Sequence, residues 1–184
     1  MLKYEEWMAQ NKLKLNPEKF EFIVFHKRSE QVVRSNYKLQ LQLGTFEPAA
    51  QVRNLGVILD ETLSMEAHVN SVTRSCRHQL RSIGKIRQHL TKEACQTLIS
   101  ALVLSRLDYA NSLLANLPKS TIHKLQLVQN AAARMLTGAQ YRDNITPIRK
   151  TLHWLPITHR IQYKLLVLCF KAKTGNIDQF NIVK

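Results

Sequence analysis

Apolar residues recur along this chain with two periods, and the change from one to the other falls at residues 51–65, QVRNLGVILDETLSM. There Val52, Leu55, Val57 and Leu59 mix with Ile58 in a short apolar run, the pattern of a strand packed on at least one face; Asp60 and Glu61 end it. Upstream, Tyr37, Leu39, Leu41 and Leu43 alternate with Lys38, Gln40 and Gln42, a strand with one wet face. Residues 44–48 break that alternation and predict a hairpin returning into the run at Val52. Phe20 to Phe25, after the turn signal Asn16-Pro17, has strand composition, and residues 27–36 read as a loop. Leu2, Trp7 and Met8 among Lys3, Glu5 and Glu6 match the last turns of an amphipathic helix. Three strands and part of a helix leave open edges that need a cover.

Downstream the period is that of a helix. Ser64 is placed to cap one with Met65, Val69, Val72, Cys76, Leu80, Ile83 and Leu90 on one stripe. At roughly 100° per residue, Arg74, Arg77, Arg81 and Lys85 project together from the opposite side. Thr91 caps a second helix reaching about Asn116, with Cys95, Leu98, Ile99, Leu102 and Tyr109 on one face and Val103, Leu104 and Leu107 widening it. Pro118 opens a third, with Ile122, Leu125, Val128, Ala132 and Met135 inward and Gly138 as its stop. Thr146-Pro147 starts a short fourth. Trp154-Leu155-Pro156 turns into a last helix carrying Ile161, Leu165, Leu168 and Cys169, ended by Gly175, and the tail after Asn176 has no pattern. The fold class predicted is α+β: a short antiparallel strand and hairpin unit over 1–62, then an α-helical bundle over 63–184.

Charge sharpens this division. Residues 1–61 hold nine Lys/Arg against eight Asp/Glu, and residues 62–184 hold eighteen against five, so the net charge of +14 belongs almost wholly to the helical part. An excess so lopsided points to a polyanionic partner. Around the stripe of Arg74, Arg77, Arg81 and Lys85 acidic residues are nearly absent, so pairing along the helix does not account for it. The excess continues through Arg134, Arg142, Arg149, Lys150, Arg160, Lys164, Lys171 and Lys173. The plain alternative is a solvated helix face; the sharper one is binding to a phosphate backbone without base readout.

Catalytic chemistry has few candidates. Two-metal phosphoryl transfer needs converging carboxylates, whereas Asp60 and Glu61 are adjacent and Asp108, Asp143 and Asp178 are isolated. There is no D-x-D, no Asp-Asp pair, no Gly-rich phosphate loop and no G-x-S-x-G. Cys76 and His78 diverge on a helix, which argues against zinc, and three distant cysteines form neither a disulfide framework nor a redox pair. The first residues lack a secretory h-region, and the apolar run 165–170 is too short to span a bilayer. The expectation is an intracellular chain, cytoplasmic or nuclear, with no membrane partner, no metal site and no cofactor of its own.

Several ordered motifs carry a family resemblance across almost the whole chain: NKLKLNPEKFEFIVF, VRNLGVILDETLSMEAHVNSVTRSC, SRLDYANSLL, LPKSTIHKLQLVQNAAARMLTG and ITPIRKTLHWLPITHRIQYKLLVLCFKA. Together they resemble the downstream part of reverse transcriptases from non-LTR (LINE-type) retrotransposons. The resemblance implies that 1–62 is an incomplete palm edge and that the helices are the thumb and the segment beyond it. It also implies that the family's Mg2+-binding Asp-Asp motif lies upstream, so this chain alone is expected not to polymerise. The palm and fingers would be its missing partners, and an RNA, RNA–DNA or DNA duplex its ligand.

The resemblance implies roles for individual residues. Lys19 falls at the lysine proposed to assist proton transfer to pyrophosphate, although Phe20 stands where Thr is usual; a turn lysine is the plain alternative. Arg53, Asn54, Leu55 and Gly56 fall in a hairpin that resembles the primer grip, or form an ordinary hairpin with Gly56 for close packing. Arg74, Arg77, Arg81 and Lys85 fall on the first thumb helix, which in such enzymes lies along the template–primer duplex. Ala110 replaces a frequent Cys. His153, Trp154 and His159 serve a helix corner or an aromatic stacking role. Two other classes stay open: a helical protein-interaction adaptor, and a transposon remnant with no selected activity.

Overall fold

The computed structural model describes residues 7–8, 10–13, 16–27, 29, 36–41 and 44–175. The expectations for Leu2, Lys3, Glu5, Glu6, Leu43, most of the 27–36 loop and the tail from Asn176 lie outside these residues. The chain divides into two compact units, Met1–Ser64 and Met65–Lys184, two residues beyond the boundary expected from the patterns.

In the first unit β1 (Leu39–Leu41) pairs antiparallel with β2 (Gly44–Phe46), Leu39 opposite Phe46. The apolar run at Val52 is not one strand. It folds back as β3 (Gln51–Asn54) and β4 (Val57–Asp60), with Asn54 opposite Val57. Leu55 and Gly56, at φ 46° and 84°, make the two-residue turn. Positive φ at both turn positions matches the right-handed twist of the flanking strands. The return predicted from 44–48 into Val52 is therefore corrected, because each strand finds its partner next door.

Phe20 to Phe25 likewise forms no strand. Among the described residues its region makes isolated backbone bonds, Ala49 N to Phe22 O at 2.8 Å and His26 N to Glu61 O at 3.0 Å. Phe20 packs on Phe46 with ring centroids 4.6 Å apart.

The second unit is a helical bundle. α1 (Glu66–Ile86) buries His68, Val69, Thr73, Cys76, Leu80 and Ile83. Its N-cap falls on Met65, at φ 58°, and Ser64, expected there, instead donates its N–H and hydroxyl to the Asp60 carboxylate. The 3-10 turn Arg87–His89 takes the chain out of α1 before Leu90.

Thr91 accepts from Ala94 N at 3.1 Å and caps α2 (Lys92–Ile99), which runs through a π turn at Ser100–Leu104 into α3 (Ser105–Asp108). A π turn adds a residue and so rotates the next helical turn about the axis. In an uninterrupted helix Arg106 would align with Cys95 and Ile99; here Leu107 is buried and Arg106 exposed. The helix stops at Asp108 rather than near Asn116, which leaves Tyr109, expected inward, largely exposed. A 3-10 turn comes next, at Asn111–Leu114.

α4 (Lys119–Thr137) is the central helix, packed against α1 and shorter helices, with Leu125, Val128, Ala132 and Leu136 buried. Burying side chains of this kind contributes about 1.5–3 kcal/mol for each large one. Gly138, at φ 75°, ends it as expected, since glycine carries no Cβ penalty there.

α5 (Ile145–Thr151) starts one residue ahead of the predicted Thr146-Pro147, capped by Asn144, whose side chain accepts from Thr146 N at 3.0 Å. α6 (Ile157–Lys173) buries Ile157 and Ile161 only. Leu168 and Cys169, expected inward, are exposed, because the packing of this helix on the Asn111–Leu114 turn and α4 buries only its start.

Two glutamines on α4 set that start. Gln126 Oε1 accepts from Ile157 N at 2.9 Å, and Gln129, fully buried, donates to Leu155 O at 2.8 Å. Gln126 thereby takes a helix-start N–H that Pro156, with no side-chain oxygen, leaves uncapped, and Gln129 supplies a donor to the carbonyl just before it.

Candidate nucleic-acid interface

The amphipathic pattern of α1 places Arg74, Arg77, Arg81 and Lys85 opposite the buried stripe, and all four are exposed. With a rise of about 1.5 Å per residue they extend over about 16 Å of helix. Among the described residues none of the four side chains makes a hydrogen bond or ion pair with the protein itself. The one acidic residue of α1, Glu66, sits in its first turn, two turns away from Arg74. Lys124 of α4 borders the same face, donating to Asn70 Oδ1 at 2.9 Å. Arg106 borders α1 elsewhere by donating to the Ser75 hydroxyl.

Other cations, which the charge count treats alike, have structural work. Arg87 donates through Nε to Met135 O at 3.2 Å, through Nη2 to Leu136 O at 3.5 Å and through Nη1 to Leu90 O at 3.1 Å. It thereby meets carbonyls in the last turn of α4, the negative end of that helix dipole. Arg160 forms a two-pronged pair with Asp108, Nε to Oδ1 at 2.7 Å and Nη2 to Oδ2. Arg134 donates to Gln140 O and Asp143 O, and the buried Arg149 Nε has no hydrogen-bond partner. The continuation of the excess through Arg134, Arg149 and Arg160 is thus not a free surface. Arg142, Lys150, Lys164, Lys171 and Lys173 are exposed.

In the first unit Arg53, Asn54 and Gly56 come together at the exposed end of the β3–β4 hairpin, with Leu55 83% exposed between them. Gly56 is exposed, and its positive φ is a backbone conformation that glycine adopts without strain. Lys19 closes the 3-10 turn Pro17–Lys19 and is exposed. His153, Trp154 and His159 lie at the α5–α6 corner, where Trp154 N donates to Arg149 O at 2.9 Å.

Two of the candidate carboxylates are engaged by the protein itself. Asp60 accepts from Thr62 N, Thr62 Oγ1, Ser64 N and Ser64 Oγ, all within 3.2 Å, and Asp108 faces Arg160. Among the described residues no three His, Cys, Asp or Glu side chains gather as a metal site. Burial pushes the Cys76 thiol up to about 11, with the Arg106 charge acting in the opposite direction. That holds Cys76 as a neutral core thiol. No described helix is long and apolar enough to cross a membrane.

The features that sequence reasoning missed are Arg87, the two glutamines and Tyr141, whose ring stands over Arg134 with the guanidinium carbon 5.6 Å away.

Compared with known proteins, the chain is 24% identical over 158 residues to a protein of Drosophila melanogaster described as a probable RNA-directed DNA polymerase from transposon BS. The match takes in 84% of this chain and 17% of that relative's length. It supports a relationship to transposon reverse transcriptases. No family model and no solved structure matches the chain.

Proposed function

We propose that this chain is a part of a non-LTR (LINE-type) reverse transcriptase: a palm edge with a primer-grip-like hairpin at Arg53, Asn54 and Gly56, followed by a thumb and downstream bundle. In this reading α1 lies along an RNA, RNA–DNA or DNA duplex and holds its phosphates through Arg74, Arg77, Arg81 and Lys85. The observation that carries it is the exposed row of four cations whose side chains have no acceptors among the described residues, where Arg87, Arg106, Arg134 and Arg160 are partnered. The likeness to a transposon polymerase adds to it.

The physical basis is electrostatic. Each cation that meets a phosphate releases condensed counterions, and nothing on the face reads base edges. Four such contacts imply that affinity falls about a hundredfold between about 50 and 200 mM salt, equally for duplexes of unrelated sequence. Fluorescence anisotropy with labelled duplexes tests this, and a salt-independent affinity removes the reading. Polymerisation is proposed to depend on carboxylates supplied from outside the chain, since Asp60 and Asp108 are committed to their own turns and pairs. Primer extension by the purified chain with Mg2+ would overturn that.

A second reading rests on α6, where Tyr163, Leu166 and Phe170 are each more than 60% exposed along one face. Such a stripe suits a helical adaptor. Binding that polynucleotide competitor leaves intact would favour it.

A further inference from the structure

The connection after α4 is held more firmly than its length requires. Arg134, in the last turn of α4, donates through Nε to Gln140 O at 3.1 Å and through Nη2 to Asp143 O at 3.3 Å. Across the same four residues Gln140 N donates to Asp143 Oδ2 at 2.6 Å and Asp143 N to Gln140 O at 3.2 Å. At the tip of this stapled turn stand Tyr141 and Arg142, both exposed.

Tyr141 is 89% exposed although the Arg134 guanidinium stands over its ring. A surface tyrosine ordinarily lays its ring on neighbouring side chains and keeps its hydroxyl wet. This ring is instead held out in water, one face toward a cation and the other open. Its place in the bundle matters too. Arg87 ties the end of α1 to Met135 and Leu136, just before Gly138. The row ending at Lys85 and the turn bearing Tyr141 therefore belong to the same end of the bundle.

The geometry points to Tyr141 as a stacking platform for an unpaired nucleobase in a single-stranded stretch adjoining the duplex on α1, an assignment that rests on backbone binding by that helix. Every base offers a π face, so the platform is indifferent to sequence. Arg134 fixes the ring from beneath and Arg142 meets the phosphate of the stacked nucleotide. A turn already fixed loses little freedom when the base arrives.

The test uses the full chain and three labelled probes: a blunt duplex, the same duplex with a short single-stranded overhang, and that overhang made of abasic residues. The expected result is about tenfold tighter binding of the overhang than of the blunt duplex. That advantage disappears with the abasic strand and in Tyr141→Ala, and persists in Tyr141→Phe, while blunt-duplex affinity is the same in all three proteins. An advantage that survives in Tyr141→Ala, or with abasic residues, overturns the platform. The combined Arg74→Gln, Arg77→Gln, Arg81→Gln variant separates the two readings. If it loses blunt-duplex affinity while Tyr141→Ala changes nothing, only the platform falls; if it binds the blunt duplex like wild type, or if no probe binds wild type, the backbone reading falls and the platform with it.

Discussion

The outward face of α1 and the far end of α4 are both rich in arginine and use it in opposite ways. On α1, Arg74, Arg77 and Arg81 stand in water without acceptors among the described residues. At the end of α4, Arg87 and Arg134 meet carbonyls, and between α6 and α3 Arg160 likewise meets the Asp108 carboxylate. One residue type, counted once in the net charge, thus divides into charge available to a ligand and charge committed to the fold. The difference lies in partners contributed from distant sequence, not in the side chain.

The division is broken most severely at Arg87. Arg87→Ala leaves three carbonyls short of a donor and is expected to cost about 2–3 kcal/mol by urea unfolding, with little change in duplex affinity. Next comes pH. The folded Cys76 pKa is raised above its ordinary 9.0, so its contribution is complete below about pH 9 and is lost as pH climbs toward about 11. Wild type should lose about 2 kcal/mol more than Cys76→Ala across that window.

Asp108→Asn removes the charge from a pair that is partly open to water, with side-chain exposures of 20% and 40%. It is expected to cost about 1 kcal/mol, seen as a lower thermal midpoint. The smallest effect is a gain. A Cβ on Gly84 would meet Met135 Cε at 3.6 Å, an ordinary contact, so Gly84→Ala should stabilise by about 0.5–1 kcal/mol through helix propensity.

What the sequence made legible was whatever neighbours decide. The two faces of α1 come from a period of 3.6, the Thr91 cap from a side chain three residues from its donor, and the Gly138 stop from backbone freedom. The turn at Leu55-Gly56 escaped because leucine at φ 46° is not the Asn-Gly signal. The π turn at Ser100–Leu104 escaped because it interrupts an otherwise helical pattern without a glycine or proline to mark it.

Arg87, Arg160 and Gln129 escaped for a further reason. Their partners Met135, Asp108 and Leu155 lie 48, 52 and 26 residues away, and no local pattern announces them. The candidate interface was legible for the opposite reason, since a helix face without partners is a local property.

Whether the α1 row holds a phosphate backbone is decided by the salt dependence of duplex binding, compared between wild type and a chain with Arg74, Arg77, Arg81 and Lys85 all changed to Gln. Backbone binding by this row predicts an unchanged thermal midpoint and a slope of log affinity against log salt that is shallower by about 3–4, close to one for each phosphate contact removed. A neutralised chain whose slope equals that of wild type would contradict it, because the cations holding the backbone would then lie elsewhere.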